Sequence, residues 1–467
     1  ATTIDISSLS INPQNILNKK ETISKLKIIF PSINETILLK KINTTKNQIN
    51  LIREITPKDH VDVLKAGIEG IIIEKKNKRV YPGNSLASHI LGNTDIDGKG
   101  TAGIEKSFDN KLLNGQDVNL SIHAGVQHIL KTVLSEQISK FEAEGGAGVI
   151  MNVNSGEIYA LASFPDYNAN NYRKSSDEQL FNRASKGTYE LGSTLKLITA
   201  AIAYESKLIK ETDLFDVSKP LKISSRIIND DHALKLAINI PEIIVHSSNI
   251  GSALIAEKIG PDIQLKFLKK LGLFDTVKLE IPEIGKPQII TDKKKISTMT
   301  ISYGHGISIT PVHLSAATAS IINGGLKVSP TLIKNSLKNI KKKRIFSNNT
   351  STEMKNIMRL VVSNRYGTGK KAEAPGYLVG GKTGTADKVK KSGGYFKNKN
   401  IVAFTGGFPI NEPKFVITVM IDNPKGQKFS HRSTAGWIAA PVISKLVTRI
   451  APILGINPQT DKTLAFT

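Results

Sequence analysis

Three short motifs, far apart along the chain but fixed in order, constrain this sequence more than anything else in it. They are Ser193-Thr-Leu-Lys196, Ser247-Ser-Asn249 and Lys382-Thr-Gly-Thr385. Together they describe one serine acyl-transfer site, so the fold has to gather them. The first supplies a hydroxyl nucleophile with an amine three residues on. The second supplies a hydroxyl and an amide. The third supplies a cation, hydroxyls and a glycine. Each is weak alone: Ser24-Lys-Leu-Lys27 also reads Ser-x-x-Lys, and Ser10-Ile-Asn12, Ser32-Ile-Asn34 and Ser347-Asn-Asn349 also read Ser-x-Asn. Lys-Thr-Gly occurs once, followed by Thr385-Ala386, and the order and flanks make the set specific.

The residue types fit the chemistry. Ser193 follows Gly192, suited to a tight entry turn, and precedes an apolar helical stretch from Leu195 to Ala203. The spacing puts Ser193 and Lys196 on one helix face. A serine hydroxyl is a poor nucleophile until a base takes its proton, and a buried lysine beside other cations can be that base. Ser247 and Asn249 share one side if their segment is extended; they read as a proton relay and a holder of a substrate amide. His246 reads as structural. Lys382 reads as the cation of a strand, with Thr383 or Thr385 binding a substrate carboxylate. Gly384 is expected to leave space for an extended peptide along the strand edge. The backbone N–H groups of Ser193 and Thr385 are candidates for an oxyanion hole. No zinc pattern, Walker loop or dinucleotide fingerprint is present, and the chemistry calls for no cofactor and no metal. Gly367-Thr-Gly369 reads as a loop and no more.

Composition sets the surroundings. The 467 residues suffice for two or three domains. The absence of cysteine rules out disulfides, thiolate metal sites and a catalytic thiol. The net charge of +24 gathers at Lys75-Lys76-Asn77-Lys78-Arg79, Lys293 to Lys295 and Lys341 to Arg344. These read as solvated faces, or as attraction to an anionic lipid or wall surface. Without interleaved aromatics they do not suggest nucleic acid.

Residues 1–116 read as an N-terminal module with a helix-like stretch from Lys46 to Ile55 and a boundary at Asn114-Gly115. Residues 117–455 read as the catalytic domain and 456–467 as a polar tail. Val126 to Phe141 carries helical periodicity, closed by Gly145-Gly146. Val149 to Val153 and Glu157 to Ala162 read as a hairpin, Ile401 to Phe404 and Phe415 to Ile421 as later strands, and Ala439 to Ile450 as a helix. The class is therefore α+β, with a mainly antiparallel sheet packed between helices. No apolar run is long enough to span a bilayer.

With Tyr189-Glu-Leu-Gly-Ser-Thr-Leu-Lys196, Ser163-Phe-Pro-Asp-Tyr-Asn168, Gly306-Ile-Ser-Ile-Thr-Pro311, Lys382-Thr-Gly-Thr-Ala386 and Gly436-Trp-Ile-Ala-Ala-Pro441, the chain resembles the class B penicillin-binding proteins from Arg79 to about Leu454. Asp97 to Leu113, with Gly103-Ile-Glu105, looks like the end of that family's N-terminal pedestal. Ser247-Ser-Asn249 and Thr385-Ala-Asp-Lys388 are similar to the division-specific branch. Leu191 stands where the family often has Pro.

The resemblance implies a penicillin-binding transpeptidase fold that cross-links peptidoglycan stem peptides through a serine acyl-enzyme during septal wall synthesis and is acylated by β-lactams. It implies Ser193, Lys196, Ser247, Asn249 and Lys382 as catalytic residues and Thr383, Gly384 and Thr385 as substrate-binding ones. It also implies an upstream membrane anchor, a periplasmic catalytic domain, and a polymerising glycosyltransferase and divisome membrane proteins as partners. The competing readings are an elongation-type transpeptidase, a β-lactamase or β-lactam sensor, a carboxypeptidase and a non-catalytic divisome scaffold.

Overall fold

The computed structural model describes residues 1–210, 212–223, 226–234, 236–335, 342–390, 393–426 and 433–459. Lys341 of the third basic cluster and residues 460–467 of the expected tail lie outside these. Two compact units form: Ala1–Gly83 with Thr94–Lys99, and Asn84–Asn93 with the chain from Gly100 onward. Residues 100–116 of the expected N-terminal module belong to the second unit.

In the first unit, strand Thr2–Ile11 is the centre of an antiparallel three-stranded sheet, flanked by Ile49–Ile55 and Ile71–Val80. Leu9, Ile11, Leu26, Leu38 and Ile42 close its core. The helix expected over Lys46 to Ile55 is therefore a strand from Ile49. Its isoleucine-rich sequence suits a pleated surface, and the neighbouring strand supplies the backbone partners that local helix would have made.

The second unit is built on a five-stranded antiparallel sheet. Its order in space is Gly380–Val389, Tyr395–Phe408, Phe415–Asp422, Gly145–Asn152 and Ile158–Phe164. Two strands come early in the chain and three late, as expected. Side chains alternate between faces. Val149, Met151, Ala403, Val416 and Met420 face one apolar core, where the wholly buried helix Pro311–Ile322 lies. Ile150, Val402, Phe404, Ile417, Val419 and Ile421 face a second core, closed by helices Ala124–Lys140 and Ala440–Ile450. The sheet is sandwiched, which explains its near-continuous apolar strands.

The helix over 124–140 ends at Lys140, and Gly145-Gly146 opens the first strand rather than closing that helix. This sheet leaves Gly380–Val389 as an edge strand, the one that carries Lys382 to Thr385. No described helix is long and apolar enough to cross a membrane.

Candidate active site

Ser193 sits in a tight 3-10 turn, Gly192–Leu195, that runs directly into helix Lys196–Ser206. Two glycines let this turn dock on the edge strand. Gly192 has φ +54°, and a Cβ there would lie 2.5 Å from the Thr385 carbonyl oxygen. A Cβ on Gly384 would lie 2.2 Å from the Leu191 carbonyl oxygen. The room at Gly384 is thus filled by the turn that carries Ser193. The expectation that it leaves space for a peptide is corrected: the missing side chain lets that turn dock against the strand. Thr385 is exposed, and its hydroxyl accepts from the Ala435 N–H at 3.1 Å.

Ser247 and Asn249 do not lie on an extended segment. Helix Ile240–His246 ends at Ser247, whose φ of 61° is left-handed, and helix Asn249–Ile259 starts two residues later. The corner, not strand alternation, turns both side chains to Lys196. Asp230 holds that corner. Its carboxylate accepts from the Ser248 hydroxyl at 2.6 Å and from the backbone N–H groups of Asn249 and Ile250 at 2.5 and 3.0 Å. These are the orphan donors of a helix start, where a negative charge is also favoured. The Asn249 amide donates to the Asn229 carbonyl at 3.0 Å. His246 packs against Tyr366, the rings tilted with centroids 5.7 Å apart.

Lys196 and Lys382 are both fully buried and meet at one hydroxyl. Lys196 Nζ donates to the Ser247 carbonyl at 2.5 Å and to Asn249 Oδ1 at 2.8 Å, and lies 3.2 Å from Ser247 Oγ. Lys382 Nζ donates to Ser247 Oγ at 2.9 Å and to the Thr383 carbonyl at 3.0 Å. The Thr383 hydroxyl donates to Thr368 at 2.8 Å, and Thr368 also lies 3.4 Å from Lys382 Nζ. Gly367-Thr-Gly369 therefore does more than close a loop. The Ser193 hydroxyl has no hydrogen bond among the described residues.

Burial pushes Lys196 down to about 7, against the opposing pull of Asp230 and Asp231. Burial, with the Lys196 charge beside it, pushes Lys382 well below the ordinary lysine range, Asp231 opposing. Two ammonium groups sharing one hydroxyl in a dry site cannot both keep their protons cheaply. A neutral Lys196 has two N–H donors, matched by the Ser247 carbonyl and Asn249 Oδ1, and one lone pair. That lone pair is open to a further proton, while Lys382 donates to Ser247 Oγ. No described group of His, Cys, Asp or Glu side chains has the arrangement to hold a metal ion.

Residues 146–447 match the penicillin-binding protein transpeptidase domain, and residues 1–123 match the penicillin-binding protein dimerisation domain. The chain belongs to the penicillin-binding protein transpeptidase family. The two domain matches in tandem make it a class B member, and its FtsI-named relatives make it division-type. It is 33% identical, over 97% of its length and 79% of the relative's, to a Caulobacter vibrioides protein named "Probable peptidoglycan D,D-transpeptidase FtsI". It is 31% identical to the peptidoglycan D,D-transpeptidase FtsI of Buchnera aphidicola from Schizaphis graminum, over 99% of this chain and 86% of that one. The apo transpeptidase domain of penicillin-binding protein 3 from Burkholderia pseudomallei superposes with a TM-score of 0.66 at 28% identity, covering 73% of this chain and 98% of that chain.

Sequence reasoning about this class B penicillin-binding protein missed Asp230 and Thr368. Asp230 lies in a connection without periodicity, and only its acidic pairing in Asn229-Asp-Asp231 signals it. Thr368 is signalled only by the two glycines around it.

Proposed function

We propose that this chain is a division-type peptidoglycan D,D-transpeptidase working through an acyl-enzyme on Ser193. The observation that carries this reading is the convergence of Lys196, Ser247, Asn249 and Lys382 on one hydrogen-bonded cluster around two buried amines. Neutral Lys196 takes the Ser193 proton as Ser193 Oγ attacks the penultimate D-alanyl carbonyl of a stem peptide. The N–H groups of Ser193 and Thr385 receive the oxyanion; the first N–H groups of a helical turn have no partner within it. The leaving D-alanine takes its proton through Ser247, which Lys382 re-supplies. Asn249 holds the donor peptide amide, and Thr385, the exposed hydroxyl of the edge strand, faces the terminal carboxylate. An amine of a second stem peptide then resolves the ester.

The setting that goes with this activity is the periplasmic face of the inner membrane. There the chain works beside a glycosyltransferase and divisome membrane proteins.

The test is labelling with a fluorescent penicillin, read by intact mass over time, beside Ser193→Ala. A long-lived adduct that needs Ser193 is the expected result. An adduct that clears within seconds points instead to a β-lactamase. No adduct on folded protein removes the acyl-enzyme and leaves a scaffold.

A further inference from the structure

Against the Gly192–Leu195 turn lies a second titratable cluster that the acylation chemistry does not use. Glu190, three residues before Ser193, is buried; its Oε1 accepts from the Gly306 N–H at 2.8 Å and its Oε2 from the Tyr395 hydroxyl at 3.0 Å. His305 stands over this pair. Its Nδ1 is 3.3 Å from the Tyr395 oxygen and 3.7 Å from Glu190 Oε2. The preceding residue, Gly304, backs directly onto Gly192: a Cβ there would meet the Gly192 carbonyl oxygen at 2.1 Å. The imidazole is thus tied to the turn that carries the nucleophile, on a segment unrelated to the three motifs.

The hydrogen bonds fix the tautomer. Tyr395 has one proton, and the shorter contact to a carboxylate takes it. His305 Nδ1 must then carry a hydrogen and donate to the Tyr395 oxygen. That leaves Nε2 with a lone pair, and no partner for it exists among the described residues. The His305 side chain is 32% exposed, so this lone pair belongs to a ring that solvent reaches. A carboxylate-oriented imidazole with its second nitrogen open has the form of a general base. Its flanks suit a cation. The Tyr303 and Tyr395 rings lie beside it, tilted, with centroids 5.3 and 5.5 Å away. Glu190 and Asp387 both act on it electrostatically. Aromatic faces with carboxylates attract ammonium groups.

We propose that His305, with Glu190, Tyr303 and Tyr395, forms the subsite for the acceptor amine, and that His305 Nε2 is the base that deprotonates it. The subsite takes a primary ammonium and rests on the acyl-enzyme reading above. One proton passes from the acceptor ammonium to Nε2 and on to solvent. The neutral nitrogen attacks the Ser193 ester carbonyl, forming the C–N bond. As the C–O bond to Ser193 breaks, the second nitrogen proton returns to Ser193 Oγ through the Lys196–Ser247 pair. The third hydrogen stays on the amide.

Burial holds the His305 pKa below its ordinary value, with Glu190 and Asp387 opposing and Lys196 assisting; the Tyr395 hydroxyl also faces it. The ring is therefore neutral, and able to accept a proton, at neutral pH.

The probe is a D-alanyl thioester donor with D-alaninamide as the amine. The readout is the ratio of aminolysis to hydrolysis per acyl-enzyme, taken across pH, so that the acylation rate cancels. His305→Gln is expected to lower the ratio about 100-fold, the lower end of the range for a positioned base, and to leave only the acid-side fall that protonation of the amine itself imposes. Tyr395→Phe, which keeps the imidazole but loses its orientation, is expected to lower it several-fold. A merely structural role would leave the ratio and its pH profile alone. Wild-type ratios in both variants overturn the subsite while Ser193 acylation stands. Absence of acyl-enzyme in the wild type overturns both readings. If His305→Gln unfolds on a thermal melt, Tyr395→Phe decides, and an unchanged ratio there refutes the assignment.

Discussion

If neutral Lys196 is the base, acylation should follow the titration of that one amine. With a midpoint of about 7, roughly a tenth of the sites hold neutral Lys196 at pH 6, half at pH 7 and nine-tenths at pH 8. The second-order rate of β-lactam acylation should therefore rise about tenfold per unit at the acid end and level off above about pH 8. An ordinary lysine would still be climbing at pH 9. The drop from 10.5 to about 7 corresponds to about 5 kcal/mol at 1.36 kcal/mol per unit, an order-of-magnitude figure for a wholly buried group.

The same number makes a statement about stability. The folded state holds fewer protons than the unfolded one between about pH 7 and 10.5, so stability is greatest above 10.5 and falls as pH falls to about 7, then flattens. Stopped-flow acylation with a fluorescent penicillin from pH 5.5 to 9 measures the first effect. A wild-type rate that is flat from pH 5.5 to 8 would refute the assignment of Lys196 as base.

Gly384→Ala places a methyl 2.2 Å from the Leu191 carbonyl oxygen, which is backbone and cannot swing away. We expect loss of at least about 2 kcal/mol, as for overpacked cores, and acylation reduced 100-fold or more; melting and penicillin labelling check both. Asp230→Ala removes a cap with three hydrogen bonds and should cost about 1–2 kcal/mol. It also removes a charge that holds the Lys196 proton, so the acylation profile should shift to lower pH, where an effect on folding alone would leave the midpoint in place.

What was legible in the sequence was whatever chemistry demands locally. Ser193 and Lys196 must be three residues apart on a helical turn, and Lys382 to Thr385 must form a strand, so each motif could be read without its partners. The sheet was legible for a similar reason: runs such as Val416 to Ile421 admit few other arrangements. What escaped was set by contacts between segments. Ser247 and Asn249 share a target because a left-handed residue joins two helices, whereas a spacing of two residues suggested a strand. Gly384 could not be read as an accommodation for the nucleophile turn until Leu191 was placed beside it. Asp230 and Glu190 are the clearest cases. A carboxylate that caps a corner or aims a tyrosine and an imidazole leaves no periodic trace, since its partners are fixed by tertiary approach. Such residues are also the ones that tune the site. The motif groups could support acyl transfer in many proteins, but how tightly Lys196 holds its proton depends on carboxylates outside the motifs.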